Sequence, residues 1–435
     1  MDIAKLADIA QDRIDRELAT NPDVQKMIGI VEDFLRSNRV MCYGGTAINN
    51  LLPEEDQFYD PDTNVPDYDF YSETPQLHAM ILADKYAQKG YTNIEVKPGV
   101  HLGTFKVFVD YTGIADITFL EKPIFDKLWK EDIIIDDIHY VTPNFLRLSM
   151  YLELSRPKGD VSRWVKVYNR LMLLNKHYPI TCPLEEDGKG IIKEAYLSKS
   201  MREIIEQLLE SKPIILLGVN AILLHSKAPV NRWSLPIDIL APPDAYEETI
   251  EMFAKALEKE GEVSLKSYPA YAELLPKHTD ILDKDSDTLL VRVFETMACH
   301  SYHEMKGGLK VASIPTLLQF FFAFVYANAH FIEGFDENRI ICMAQRLVDM
   351  AHGSKGSHRF SILTPLDCVG IQETMFDIRE HTSKLRANTP KDSPEFLRFF
   401  FSYRPSEVNK TQRKSLRSDL RKSLKSKSKP KIGDY

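Results

Sequence analysis

Apolar positions along the first 38 residues recur at close to 3.6 spacing: Ile3, Leu6, Ile9, Ile14 and Leu18, then, after Asn21-Pro22, Met27, Ile30, Val31, Phe34 and Leu35. This pattern predicts two helices separated by the proline. Val40-Met-Cys-Tyr43 reads as a short buried strand that runs into Gly44-Gly45, and Thr46 to Leu52 as a short helix stopped by Pro53. The polar stretch Glu54 to Asn64 is expected to be a loop, with the next strand opening at Pro66. A helix is predicted over Thr74 to Gly90. A hairpin is predicted over Gly103 to Leu120, with a Tyr-Thr-Gly turn at Tyr111 to Gly113. Further helices are predicted from Asn144 through Tyr151 and from Asp160 to about Asn175.

Side chains two apart on a strand share a face. On the strand opened by Pro66, Asp67 and Asp69 therefore project together, while Tyr68 and Phe70 point the other way. A third carboxylate, Asp116, sits inside the apolar run Gly113 to Leu120, where a charge is costly unless paired. A cation bridging it to Asp67 and Asp69 is one partner; an edge-strand aspartate facing water is the plain alternative. Gly-Gly, Asp-x-Asp and a further Asp, in that order on strand, turn and hairpin, form the pattern of a metal-dependent nucleotidyltransferase. Taken singly, none of these motifs is specific.

The second half echoes the first. Leu217-Gly-Val-Asn-Ala-Ile-Leu223 parallels Tyr43 to Asn49, Leu235-Pro-Ile-Asp-Ile-Leu240 parallels Val65 to Phe70, and Ser313 to Leu318 parallels Val141 to Leu146. Setting Pro236 opposite Pro66 puts Ile237 and Ile239 where Asp67 and Asp69 stand, with Arg292 near the place of Asp116. A slip of one residue instead brings Asp238 opposite one carboxylate. Either way the second copy cannot hold two cations, and is a scaffold or an RNA-binding surface on the same fold. The expected class is α/β (α+β): two tandem nucleotidyltransferase-like domains, the second degenerate, with helical N-terminal and C-terminal segments. The expected boundaries are 1–38 (helical), 39–185 (catalytic, with trailing helices), 186–330 (degenerate), 331–403 (helical) and 404–435 (a basic disordered tail).

With 435 residues, 44% of them hydrophobic, the chain can bury a large core in two or three domains. Its longest apolar stretch, Leu317 to Ala327, is about half of what a membrane span needs. No membrane or secretory segment is expected. The cysteines, Cys42, Cys182, Cys299, Cys342 and Cys368, lack any Cys-x-x-Cys pair and are expected to be free in a reducing compartment. Cys299, His300 and His303 lack a fourth zinc ligand and are expected to be structural. A total charge of −8 divides unevenly: Lys410 to Tyr435 carries ten Lys/Arg against Asp419 and Asp434, a net +8 that leaves −16 on the rest. This arm is expected to bind nucleic acid or to serve solubility or localisation. Arg163, Lys166 and Arg170 form a basic stripe on a predicted helix, either a phosphate contact or a solvated face.

Through Tyr43-Gly-Gly-Thr-Ala-Ile-Asn49, Val65-Pro-Asp-Tyr-Asp-Phe-Tyr71, Ala115-Asp-Ile-Thr118 and Arg163-Trp-Val-Lys-Val167, the chain resembles the catalytic poly(A) polymerase subunits of large nucleocytoplasmic DNA viruses, a family akin to the poxvirus enzyme. The resemblance covers residues 38 to 400, and its first three segments belong to the whole nucleotidyltransferase superfamily. It implies template-free transfer of AMP from ATP to an RNA 3′ end with Mg²⁺ or Mn²⁺, in host cytoplasm or a virion. Asp67, Asp69 and Asp116 would be the metal ligands and catalytic residues. Gly44, Gly45, Thr46, Asn49, Arg163 and Lys166 would hold the nucleotide. Family members can act as homodimers, so the oligomeric state stays open. Transfer to tRNA, protein or a small molecule is the alternative within enzymes, and a non-catalytic RNA-binding processivity subunit is the alternative outside them.

Overall fold

The computed structural model describes residues 2–184, 198–226, 233–305, 307–327, 336–353, 365–407 and 410–427. The chain divides into two compact units, one running up to Leu146 and resuming from Met375, the other Arg147–Thr374. Among the described residues no helix is long and apolar enough to cross a membrane.

The first unit opens with α1 (Ile3–Ala19) and α2 (Pro22–Ser37), capped by the Asp2 and Asn21 side chains. Val24, Met27, Ile28, Val31, Phe34 and Leu35 form the buried face of α2. There follow β1 (Met41–Tyr43), α3 (Gly44–Leu51), β2 (Tyr68–Ser72), α4 (Pro75–Gln88), β3 (Ile94–Pro98), β4 (Thr104–Val109) and β5 (Thr112–Phe119). Then come α5 (Lys122–Glu131), β6 (Ile133–Ile135), β7 (Ile138–Tyr140) and α6 (Pro143–Leu154), which carries the boundary after Leu146. The seven strands form one sheet in the order β3-β4-β5-β2-β1-β7-β6. Alternation sets its faces: Phe105, Val107 and Val109 of β4 are buried, while Lys106 points the other way. The hairpin turn is Asp110-Tyr111, both at positive φ, rather than the expected Tyr-Thr-Gly. This is the two-residue turn whose twist matches antiparallel strands.

In the second unit the order is α7 (Trp164–His177), α8 (Lys199–Ser211), β8 (Ile215–Leu216), α9 (Gly218–His225), β9 (Ile237–Ala241), α10 (Tyr246–Leu257), β10 (Val263–Tyr268), β11 (His278–Asp283) and β12 (Leu289–Glu295). It continues with β13 (His300–Glu304), β14 (Lys310–Ala312), α11 (Ile314–Tyr326), α12 (Glu337–Gly353) and β15 (Cys368–Val369). Its sheet runs β10-β11-β12-β9-β8-β14-β13-β15. Strand for strand this is the first sheet with β15 added, so the internal repeat is a repeat of topology. The fully buried α11 follows β14 as α6 follows β7.

Register corrects the Pro66/Pro236 alignment by one residue. Tyr43 pairs with Asp69, and the Leu217 N–H donates to the Asp238 carbonyl at 2.8 Å. Asp69 lies beside Asp116 on parallel strands, and Asp238 lies beside Arg292 in the same way. Asp238 thus stands where Asp69 does, Pro236 falls opposite Asp67, and Arg292 takes the place of Asp116. Prolines misled the alignment because both lie outside the paired strands and mark no register.

Two further expectations are corrected. Cys182 is bonded to Cys342 and Cys299 to Cys368, leaving a buried Cys42 as the free cysteine. The partners lie 160 and 69 residues apart, so no local motif could announce them. The helical segment expected at 331–403 is also not a separate part: its α12 belongs to the second unit, and α13 (Met375–Asn388) and α14 (Pro394–Phe400) belong to the first. The tail expected to be disordered carries α15 (Lys410–Lys427), also in the first unit. Tyr403 exchanges backbone hydrogen bonds with Val96 at the β3 edge. Asp84 of α4, only 2% exposed, explains why α15 is ordered: it accepts from the Tyr403 hydroxyl at 2.7 Å and pairs with Arg417 at 2.6 Å and Arg413 at 3.2 Å. Residues 408, 409 and 428–435 of the expected tail lie outside the described residues.

The second sheet's most demanding element is the Asp280–Arg292 pair, bonded at 2.7 and 3.1 Å with side chains 2% and 4% exposed. Asp280→Ala strands a buried guanidinium and is expected to cost about 3–5 kcal/mol, whereas Asp280→Leu with Arg292→Met recovers most of it. Urea unfolding of the three proteins measures the difference.

Candidate active site

The site is built at the end of β1. Gly44 opens α3 at φ +76°, and a Cβ there would stand 2.6 Å from Asp69 Oδ2. Glycine is required both by the left-handed backbone and by the space the Asp69 carboxylate already fills. Tyr43, at the cap position, makes no side-chain cap hydrogen bond to the first N–H groups of α3.

Register then lays out one row across four strands. Tyr43 of β1 pairs with Asp69 of β2, Asp69 with Asp116 of β5, and Asp116 with Lys106 of β4. Neighbouring strands lie about 4.8 Å apart, so the row spans roughly 14 Å. Two residues further along the same face stand Tyr71, Thr118 and Thr104. Tyr43 stacks on Tyr71 with centroids 3.9 Å apart, and its hydroxyl meets Thr118 Oγ1 at 2.8 Å. Thr118 in turn shares a hydrogen bond with Thr104 at 3.0 Å. Burial and the nearby Tyr71 and Asp69 push the Tyr43 phenol well above its ordinary pKa, which keeps it neutral.

Asp116 is half-buried rather than fully buried. It is ion-paired with Lys106, their side chains being 21% and 41% exposed. Lys106 was missed in the sequence, where one lysine in a strand looks like ordinary surface. Asp67 is exposed and lies one residue before β2, so the two aspartates do not share the strand as expected. Its carbonyl accepts from the Thr46 hydroxyl at 2.7 Å, and Thr46 is buried. Asn49 has a loop to hold: its Oδ1 accepts from the N–H groups of Phe58 and Tyr59, both at 2.9 Å. Among the described residues no three His, Cys, Asp or Glu side chains converge as a ready-made metal cluster.

Arg163 and Lys166 belong to the other unit. Arg163 ends a short 3₁₀ turn, Val161–Arg163, ahead of α7, and pairs with Glu153 at 3.1 Å. Burial raises the Glu153 carboxyl pKa while the Arg163 charge opposes it.

Every member of the row falls within a segment that can be compared with known proteins. Residues 29–160 match the family model of the poly(A) polymerase catalytic subunit. The family resemblance read from the sequence is thus shown for the segment that holds the row. A mimivirus protein named for that subunit is 27% identical over 230 residues, covering 50% of this chain and 38% of its own length. One from African swine fever virus, isolate Pig/Kenya/KEN-50/1950, is 26% identical over 168 residues, covering 37% and 35%. The chain therefore spans little more than a third of these relatives. The crystal structure of the Megavirus polyadenylate synthase superposes with a TM-score of 0.77 over 97% of this chain and 88% of that one, at 18% identity. The two share a fold.

Gly44→Ala is expected to destabilise the protein by about 1–3 kcal/mol, since it combines positive φ with a clash on Asp69. Gly29→Ala, inside α2 with nothing within 4 Å of the added methyl, is expected to stabilise it by about 0.5–1 kcal/mol. Melting temperatures of the two variants should move in opposite directions.

Proposed function

We propose that the chain adds AMP from ATP to the 3′-hydroxyl of an RNA without a template, releasing pyrophosphate, and that its first unit carries the chemistry. The observation behind this reading is the Asp69–Asp116 register beside the Gly44 turn, inside the segment that matches poly(A) polymerase catalytic subunits.

Carboxylate oxygens suit a hard divalent cation such as Mg²⁺ or Mn²⁺. Asp69 and Asp116 fit one because register sets them side by side, and Asp67, two residues before Asp69, completes the acidic set. When bound, such ions activate the attacking hydroxyl and offset charge on the leaving pyrophosphate. The N–H groups of Gly44, Gly45 and Thr46, at a helix start without a side-chain cap, receive the triphosphate. The Thr46 hydroxyl already donates to Asp67, so Thr46 contributes its backbone and holds the Asp67 segment in place. Asn49 positions the loop at Phe58-Tyr59 rather than the nucleotide. Arg163 is engaged by Glu153.

For the second sheet, Arg292 in the place of Asp116 favours a non-catalytic role, as scaffold or RNA surface. An RNA acceptor is supported by the relatives' names and by the basic sequence of α15. The viral origin of the relatives supports host cytoplasm or virion as the setting.

The test is incubation with single-stranded RNA, Mg²⁺ or Mn²⁺, and each nucleoside triphosphate separately. Long products with ATP alone are expected, and Asp116→Ala should lower extension by more than about a hundredfold. Equal use of all four nucleotides, or undiminished extension by the variant, contradicts the proposal.

A further inference from the structure

Lys106 has a role in the first sheet that the second sheet makes visible. The same two ladder positions hold an ion pair in both copies, but with the signs exchanged: Lys106 and Asp116 in one, Asp280 and Arg292 in the other. In the second sheet a guanidinium fork makes two bonds to a carboxylate in a nearly dry setting, with side chains 4% and 2% exposed. Asp238 is beside it, and burial pushes its carboxyl up to about 6 against the pull of Arg292. That pair is a permanent part of the core. In the first sheet a single ammonium meets Asp116 at an open end, with side chains 41% and 21% exposed. An ammonium on a flexible stem is readily displaced from such a place.

The register also sets Asp69 and Asp116 directly beside each other, where like charges repel. A cation is therefore called for whether or not a metal is bound. Lys106 supplies it. We infer that Lys106 is a positioning residue that occupies the cation's place at Asp116 and must yield it before a divalent metal can bind there. The inference rests on the reading of Asp69 and Asp116 as metal ligands. Its consequence is that metal affinity in the absence of nucleotide is held down by an internal competitor.

Mn²⁺ titration followed by the electron paramagnetic resonance of the free ion tests this without turnover. Lys106→Met is expected to bind Mn²⁺ about tenfold more tightly than the wild type, and Lys106→Arg several-fold more weakly, because a guanidinium holds a carboxylate with two bonds. Asp116→Asn should lose the site. If wild type binds Mn²⁺ and Asp116→Asn does not, yet Lys106→Met binds no more tightly, the inference is overturned while the metal-site reading stands. Should Lys106→Met fail to fold, Lys106→Arg tests the same competition: affinity equal to or above wild type overturns the inference. If neither the wild type nor the folded Lys106 variants bind Mn²⁺, the metal-site reading falls and the inference falls with it.

Discussion

Both sheets depend on one steric constraint: a helix that begins with a positive-φ glycine pressed against an aspartate of the neighbouring strand. Gly44 meets Asp69 in this way and Gly218 meets Asp238. A side chain at either glycine would expel the carboxylate or tilt the helix, so helix start and acidic strand are fixed together. In the first unit this fixes a carboxylate beside a helix end that has no side-chain cap. Everything proposed about catalysis follows from that adjacency and from the strand that brings Asp116 alongside.

The second copy keeps the constraint and changes its surroundings. Leu217, Leu240 and Phe294 stand where the first sheet has Tyr43, Tyr71 and Thr118, and Arg292 is sealed to Asp280. Hydroxyls and an open lysine on one sheet become apolar side chains and a buried ion pair on the other. A single fold thus holds a half-buried row with two carboxylates once and a closed electrostatic core once, which is why topology alone does not assign function to either.

Much of this was legible in the sequence. The glycine pair, the carboxylate in an apolar hairpin and the echo between halves are local or strongly ordered signals, and the topology bears out the tandem arrangement, although Asp67 falls just before the strand that holds Asp69. What was not legible depends on pairing across distance. Lys106 gains meaning only from the strand opposite it, the two disulfides join cysteines far apart in sequence, and α15 is ordered by an aspartate more than 300 residues away. The one-residue slip at Pro236 has the same origin: hydrophobicity aligns strands to within a residue, and hydrogen-bonded register decides the last one.

The central claim is that only the first of the two glycine–aspartate pairs holds a metal. Isothermal titration of Mn²⁺ into Asp69→Asn and Asp238→Asn variants of the whole chain tests it most directly. The account predicts that Asp69→Asn abolishes binding and that Asp238→Asn leaves stoichiometry and affinity unchanged. Loss of bound metal in Asp238→Asn, or full binding in Asp69→Asn, would contradict it.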